Sequence, residues 1–74
     1  MYYVYALQSL KVTSWVYIGR TGDLKKRIQR HQAGLVLSTK KYKPLRLVYY
    51  EAYSSKKDST KREYDLKHNS QQKE

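Results

Sequence analysis

Tyr2-Tyr3-Val4-Tyr5-Ala6-Leu7 and Trp15-Val16-Tyr17-Ile18-Gly19 are the stretches whose reading decides the fold. Both are rich in aromatic and β-branched residues, which suit a pleated, half-buried surface. The connection around Leu10-Lys11-Val12-Thr13 is short. An antiparallel hairpin is therefore expected, although no Asn-Gly or comparable pair marks its turn.

Downstream, Thr21-Gly22-Asp23 offers helix-starting chemistry, and Leu24 to Ala33 follows. Gly34 is well placed as the left-handed residue that closes this helix. At 100° per residue, Leu24, Arg27, Ile28 and His31 fall within about 100° of arc. Lys25, Lys26, Gln29, Arg30 and Gln32 lie outside it. Residues 35–43 read as a loop that grows basic toward Lys40, Lys41 and Lys43, closed by Pro44. Leu45-Arg46-Leu47-Val48-Tyr49-Tyr50 is the third strand. Ser55 and Asp58 resemble a capping box for a second helix running to about Lys67. The polar residues 69–74 form a tail expected to fray. The reading is one α/β domain over residues 1–68, in the order β-β-α-β-α, on a three-stranded sheet. The place of the third strand is left open.

Charge is the strongest bulk signal. Sixteen Lys and Arg against six Asp and Glu give a formal net charge of +10 on 74 residues. Such a chain attracts polyanions, and nucleic acid is the expected partner. An anionic membrane surface is disfavoured, because neither helix has the broad apolar face of an interfacial helix. No hydrophobic run approaches the roughly 20 residues that span a bilayer. The N-terminal Met1-Tyr2-Tyr3-Val4 lacks the pattern of a signal peptide. The chain has no cysteine, which fits a reducing cytoplasm.

Several residues carry chemistry that the fold does not obviously need. Nine tyrosines and no phenylalanine suit a thin sheet with half-wet faces, and that accounts for Tyr2, Tyr49, Tyr50 and Tyr53. Tyr5 and Tyr17 could instead act on a proton if cations stabilise the phenolate. Arg27 is the one basic residue of its helix on the apolar arc, where a guanidinium needs a partner. Its fork matches two phosphate oxygens. His31, one turn on, can position water or bind phosphate; packed histidine is the plainer reading. Glu63 can hold a hard divalent ion or simply pair with Lys67 four residues on. No second carboxylate is an obvious metal partner, which argues against a two-metal site.

The ordered set Tyr3-Val4-Tyr5, Tyr17-Ile18-Gly19, Arg27, His31 and Glu63 resembles the GIY-YIG nuclease superfamily, and most of all its small stand-alone bacterial members. The basic run Ser38-Thr39-Lys40-Lys41-Tyr42-Lys43-Pro44-Leu45 resembles their loop. The likeness spans about residues 2–67. It implies a largely antiparallel sheet with helices packed against it. It also implies a metal-dependent DNA endonuclease with a single Mg²⁺ or Mn²⁺ on Glu63. Tyr17 would then be the base or its relay, Tyr5 its support, and Arg27 and His31 the phosphate ligands. Tyr3 stands where the family name has its first glycine, Arg20 where less basic residues are common, and Ser59 where an alanine usually packs.

Lys25, Lys26, Lys40, Lys41 and Lys43 are the expected DNA contacts, on duplex, nicked or branched substrates, in a role such as DNA repair. No protein partner is expected. The rival readings are a catalytically silent nucleic-acid-binding module of the same fold, and a small basic RNA-associated protein outside the family. The nuclease reading requires Tyr5, Tyr17, Arg27 and Glu63 to converge on one concave surface.

Overall fold

The computed structural model describes the backbone of residues 1–72 and the side chains of residues 1–68. The elements are β1 (Tyr2–Ser9), β2 (Val16–Thr21), α1 (Leu24–Gln32), a 3₁₀ turn (Lys40–Tyr42), β3 (Leu45–Tyr53) and α2 (Lys56–Gln72). The order is the expected β-β-α-β-α. The sheet runs β2-β1-β3, and both pairings are antiparallel. The third strand thus lies beside β1, and the sheet is wholly antiparallel.

Placing β1 in the middle explains its burial. Val4, Tyr5, Ala6 and Leu7 are all buried in succession, where a strand with one wet face would alternate. Side chains of a strand alternate between faces, and directly paired residues share one. Tyr5 pairs with Gly19 and Tyr50, and Leu7 with Tyr17. These lie on the face covered by α1, where Tyr5, Leu7 and Leu45 form the core with Trp15, Tyr17, Leu24, Ile28 and Tyr42 against it. Val4 pairs with Arg20 and Glu51, on the opposite face. There Arg62 of α2 grips Glu51 with two bonds, Nε to Oε1 at 2.9 Å and Nη2 to Oε2 at 3.1 Å. The Tyr53 hydroxyl donates to the same carboxylate at 2.6 Å, and Tyr49 donates to it as well. The two helices therefore sit on opposite faces of the sheet.

The helix ends follow the sequence chemistry. Asp23 Oδ1 accepts from Lys26 N at 3.1 Å and caps α1. At the other end Gly34 has φ 77°, Leu35 N reaches Arg30 O, and Gly34 N reaches His31 O. That pair of bonds is a Schellman motif, and it needs a left-handed residue. Ser55 Oγ accepts from Asp58 N at 3.3 Å. Ser59 is fully buried and returns its hydroxyl to Lys56 O at 2.7 Å, so a polar atom is satisfied where an alanine would simply pack. The second helix runs to Gln72, beyond the end expected near Lys67. The expected tail, residues 69–74, therefore has helical backbone as far as Gln72; its side chains and residues 73–74 lie outside the described residues.

The loop after α1 has more structure than its composition suggested. Ser9, buried on β1, donates to Tyr42 O at 2.7 Å and accepts from Lys11 N and Val12 N. Trp15 stacks on Tyr42 with ring centroids 3.8 Å apart and an 8° tilt. These contacts fix the 3₁₀ turn against the hairpin. No helix among the described residues is long and apolar enough to cross a membrane.

Candidate active site

Tyr5 lies across Gly19. A Cβ at Gly19 would stand 2.5 Å from Tyr5 Cζ and Oη and 2.9 Å from Tyr17 Cε2. Only glycine lets the two phenols meet over β2, because real Cβ atoms do not approach this closely. The Tyr5–Tyr17 ring centroids are 6.4 Å apart, and Tyr17 lies 5.3 Å from the His31 ring.

From Tyr5 a chain of polar contacts runs inward. Arg27 Nε donates to Tyr5 Oη at 3.4 Å. Tyr5 Oη is 2.8 Å from His31 Nε2, and His31 Nδ1 is 2.7 Å from Thr39 Oγ1. Thr39 Oγ1 donates to Val36 O at 3.4 Å. One proton arrangement satisfies every member. Arginine only donates, so it takes a lone pair of Tyr5, and the Tyr5 hydroxyl proton goes to His31 Nε2. Nδ1 then carries the ring proton and gives it to Thr39, whose own proton goes to Val36. The tautomer is assigned from this network. Burial, and then the Arg27 charge, push the His31 pKa down to about 4, so the ring is neutral at pH 7 as the arrangement requires. Burial is also the main reason the Tyr5 phenol lies above its ordinary 10, with the Arg27 bond pulling the other way. Tyr5 therefore stays protonated at neutral pH.

This placement corrects the phosphate contact expected of His31. The residue is fully buried and both ring nitrogens are engaged. A phosphate has no nitrogen left to meet. The ring instead holds Tyr5, and Thr39 holds the ring. Thr39 was not singled out by the sequence, and nothing in a run of Ser, Thr and Lys distinguishes it.

Glu63 is placed differently. Its carboxylate belongs to α2, on the face of the sheet opposite α1. Arg20 Nε lies 3.4 Å from Oε1 and Lys67 Nζ 3.2 Å from Oε2. The plain intrahelical pair with Lys67 is thus present, and Arg20 adds a second cation. Arg20 Nε is buried and makes no hydrogen bond, so its tie to Glu63 is one of charge. Of the four residues expected on one concave surface, three are contributed from the α1 side. Tyr5, Tyr17 and Arg27 come together on the α1 face, and Glu63 comes from the other side. Its charge still reaches Tyr5, at the β2 strand where Gly19 interposes no side chain. Among the described residues no group of three or more His, Cys, Asp or Glu gathers to hold a metal ion.

The lysines are where a polyanion can reach them. Lys25, Lys26, Lys40, Lys41 and Lys43 are all exposed. Lys40 and Lys41 directly follow Thr39, so the bond to His31 draws their turn toward α1.

The family model described as the GIY-YIG catalytic domain matches residues 1–74. The chain belongs to the GIY-YIG family. Two of its relatives carry the name UPF0213 protein. One, from Staphylococcus saprophyticus, is 41% identical over 59 residues, covering 78% of this chain and 72% of the relative. The other, from Staphylococcus aureus, is 37% identical over the same shares of the two chains. No solved structure matches the chain. GIY-YIG membership agrees with the β-β-α-β-α order and with the pairing of Tyr5 to Gly19.

Proposed function

We propose that this GIY-YIG domain is a metal-dependent endonuclease that hydrolyses DNA phosphodiester bonds with a single divalent ion. The observation that carries the reading is the Tyr5 hydroxyl held between Arg27 Nε and His31 Nε2, beside Tyr17. Arg27, aimed by the Tyr5 lone pair, takes the scissile phosphate and offsets the charge that develops there. His31 and Thr39 hold Tyr5 from beneath, so they are positioning residues. Tyr17, half-buried near Arg27, takes the proton of the attacking water either as a phenolate favoured by that cation or as a relay that passes its own hydroxyl proton to solvent as it accepts the new one. The exposed lysines bind flanking phosphates.

Glu63 is the residue to hold the ion. A single carboxylate suits Mg²⁺ or Mn²⁺ that draws its other ligands from water and phosphate oxygens, and the lone acid agrees with that donor set. When bound, the ion supplies charge stabilisation to the leaving oxygen. Arg20 and Lys67 compete for this carboxylate. That competition favours the second reading, a nucleic-acid-binding module of the same fold that does not cleave.

The deciding experiment incubates duplex, nicked and branched DNA with Mg²⁺ or Mn²⁺, using Glu63→Gln as control. Cleavage by wild type, absent in Glu63→Gln with binding retained, supports the nuclease. Binding without cleavage across the panel establishes the module instead. Tyr17→Phe should lower the rate by roughly 10²-fold, the lower range for a general base; an unchanged rate would move the base elsewhere.

A further inference from the structure

On the face that carries Tyr5, the space between α1 and the β1–β3 surface is unfilled. It forms a groove of about 590 Å³. Tyr3 and Tyr50 line it from the sheet, Leu24 and Ile28 from the helix, with Lys25 and Gln29 beside them. The Tyr3 and Tyr50 rings are tilted at 57° with centroids 6.3 Å apart, so they do not stack on each other. Tyr50 is 54% exposed although it faces α1. Beyond the tilted contact with Tyr3, much of the residue is uncovered among the described residues.

An exposed tyrosine alone is ordinary sheet surface. Here it stands in a concavity that combines aromatic rings, an amide, an ammonium group and the Asp23 carboxylate, whose Oδ1 is engaged in capping α1, next to the candidate phosphate site. Tyr50 is the cross-strand partner of Tyr5, and Tyr3 precedes Tyr5 on the same face. Two residues along a strand are a step of about 7 Å.

We propose that this groove receives one unpaired base of a DNA strand, stacked on Tyr50, with the adjoining phosphate on Lys25. Every base has a π-face, so stacking on an aromatic side chain tolerates any sequence. The Gln29 amide both donates and accepts, and so suits the exposed edge of a base. The net charge of +10 draws in the strand. A base inside a duplex is stacked on both faces and must first be extruded, which is easiest where pairing is already broken. The groove therefore selects DNA with a bulge, flap or branch point over intact duplex. This deepens the proposed function and rests only on its nucleic-acid-binding part.

The test measures binding by fluorescence anisotropy without divalent metal. The probes are a fully paired duplex and the same duplex carrying a one-base bulge or a single-stranded flap. Wild type should bind the bulged and flapped probes more tightly. Tyr50→Ala should weaken those probes by roughly 5- to 150-fold, the range for one lost stacking contact, and leave the paired duplex unchanged. Tyr50→Trp should keep the preference. Circular dichroism checks that each variant is folded; an exposed side chain makes that the expected result. Equal affinity of wild type for all probes overturns the proposal, as does an equal loss on every probe in Tyr50→Ala. A base preference without cleavage in the metal assay would remove the nuclease and leave the groove. Cleavage without a base preference would remove the groove and leave the nuclease.

Discussion

Mild acid should destabilise this protein through one residue, His31. Its pKa falls from the ordinary 6.5 to about 4 in the folded chain. A folded value below the unfolded one means that the unfolded chain binds the proton more tightly. The stability from this group is complete above the unfolded value and is lost as pH falls through the folded one. Between the two values, each step of one in pH removes about 1.4 kcal/mol, so the loss from pH 7 to pH 5 is about 2 kcal/mol. For a domain this small, with an m-value near the low end, that lowers the urea midpoint by roughly 1–2 M. The groups that face His31 are Tyr5 on β1, Tyr17 on β2, Thr39 below, and Arg27 on α1. Phenols, hydroxyls and guanidinium groups ordinarily titrate well outside this window. Glu51 has a depressed pKa, chiefly from the Arg62 bond, so its contribution is lost only at lower pH. The assay is urea unfolding by circular dichroism across this range, with His31→Gln beside wild type. The variant should be less stable at pH 7 and nearly flat between the two pH values. A flat wild-type profile, or the same slope in His31→Gln, would refute the buried neutral ring.

Other expectations follow from single contacts. Thr39→Val removes the oxygen that accepts from His31 Nδ1 in a fully buried place. It should cost about 1–3 kcal/mol, read as a lower Tm. Gly19→Ala must displace Tyr5 or Tyr17; overpacking of this kind costs about 1–3 kcal/mol, and any cleavage activity should fall with it. Arg20→Ala releases one of the two cations on Glu63. Its Mn²⁺ affinity, measured by calorimetry without DNA, should rise, and an unchanged value would mean that Arg20 does not compete.

Much of the fold was legible because its signals are local. Asp23 and Gly34 mark the ends of α1 through backbone needs that few other residues meet. The aromatic and β-branched runs mark the hairpin. The central place of β1 was not legible, because its pairing with β3 joins segments far apart in the chain and β3 shows little alternation of burial. The arc that grouped Arg27 with His31 did put both toward the tyrosines. It could not tell a surface phosphate ligand from a buried prop, since periodicity gives direction and not depth. Nor does helix periodicity say which face of a sheet a helix will cover. That is why the periodicity of α2, which carries Glu63, did not put it on the face opposite α1.

The Glu51–Arg62 pair has a reach beyond its own strand. Successive residues on a helix point about 100° apart. Arg62 is anchored by two bonds to β3, and Glu63 is the next residue. Fixing one fixes the compass bearing of the other, so the clamp on β3 acts as a rotational stop for α2. It turns Glu63 toward Arg20 of β2, and holds it there against the twist of a long helix. The aim of the Glu63 carboxylate is thus set from the opposite edge of the sheet, by a tyrosine-braced acid on β3.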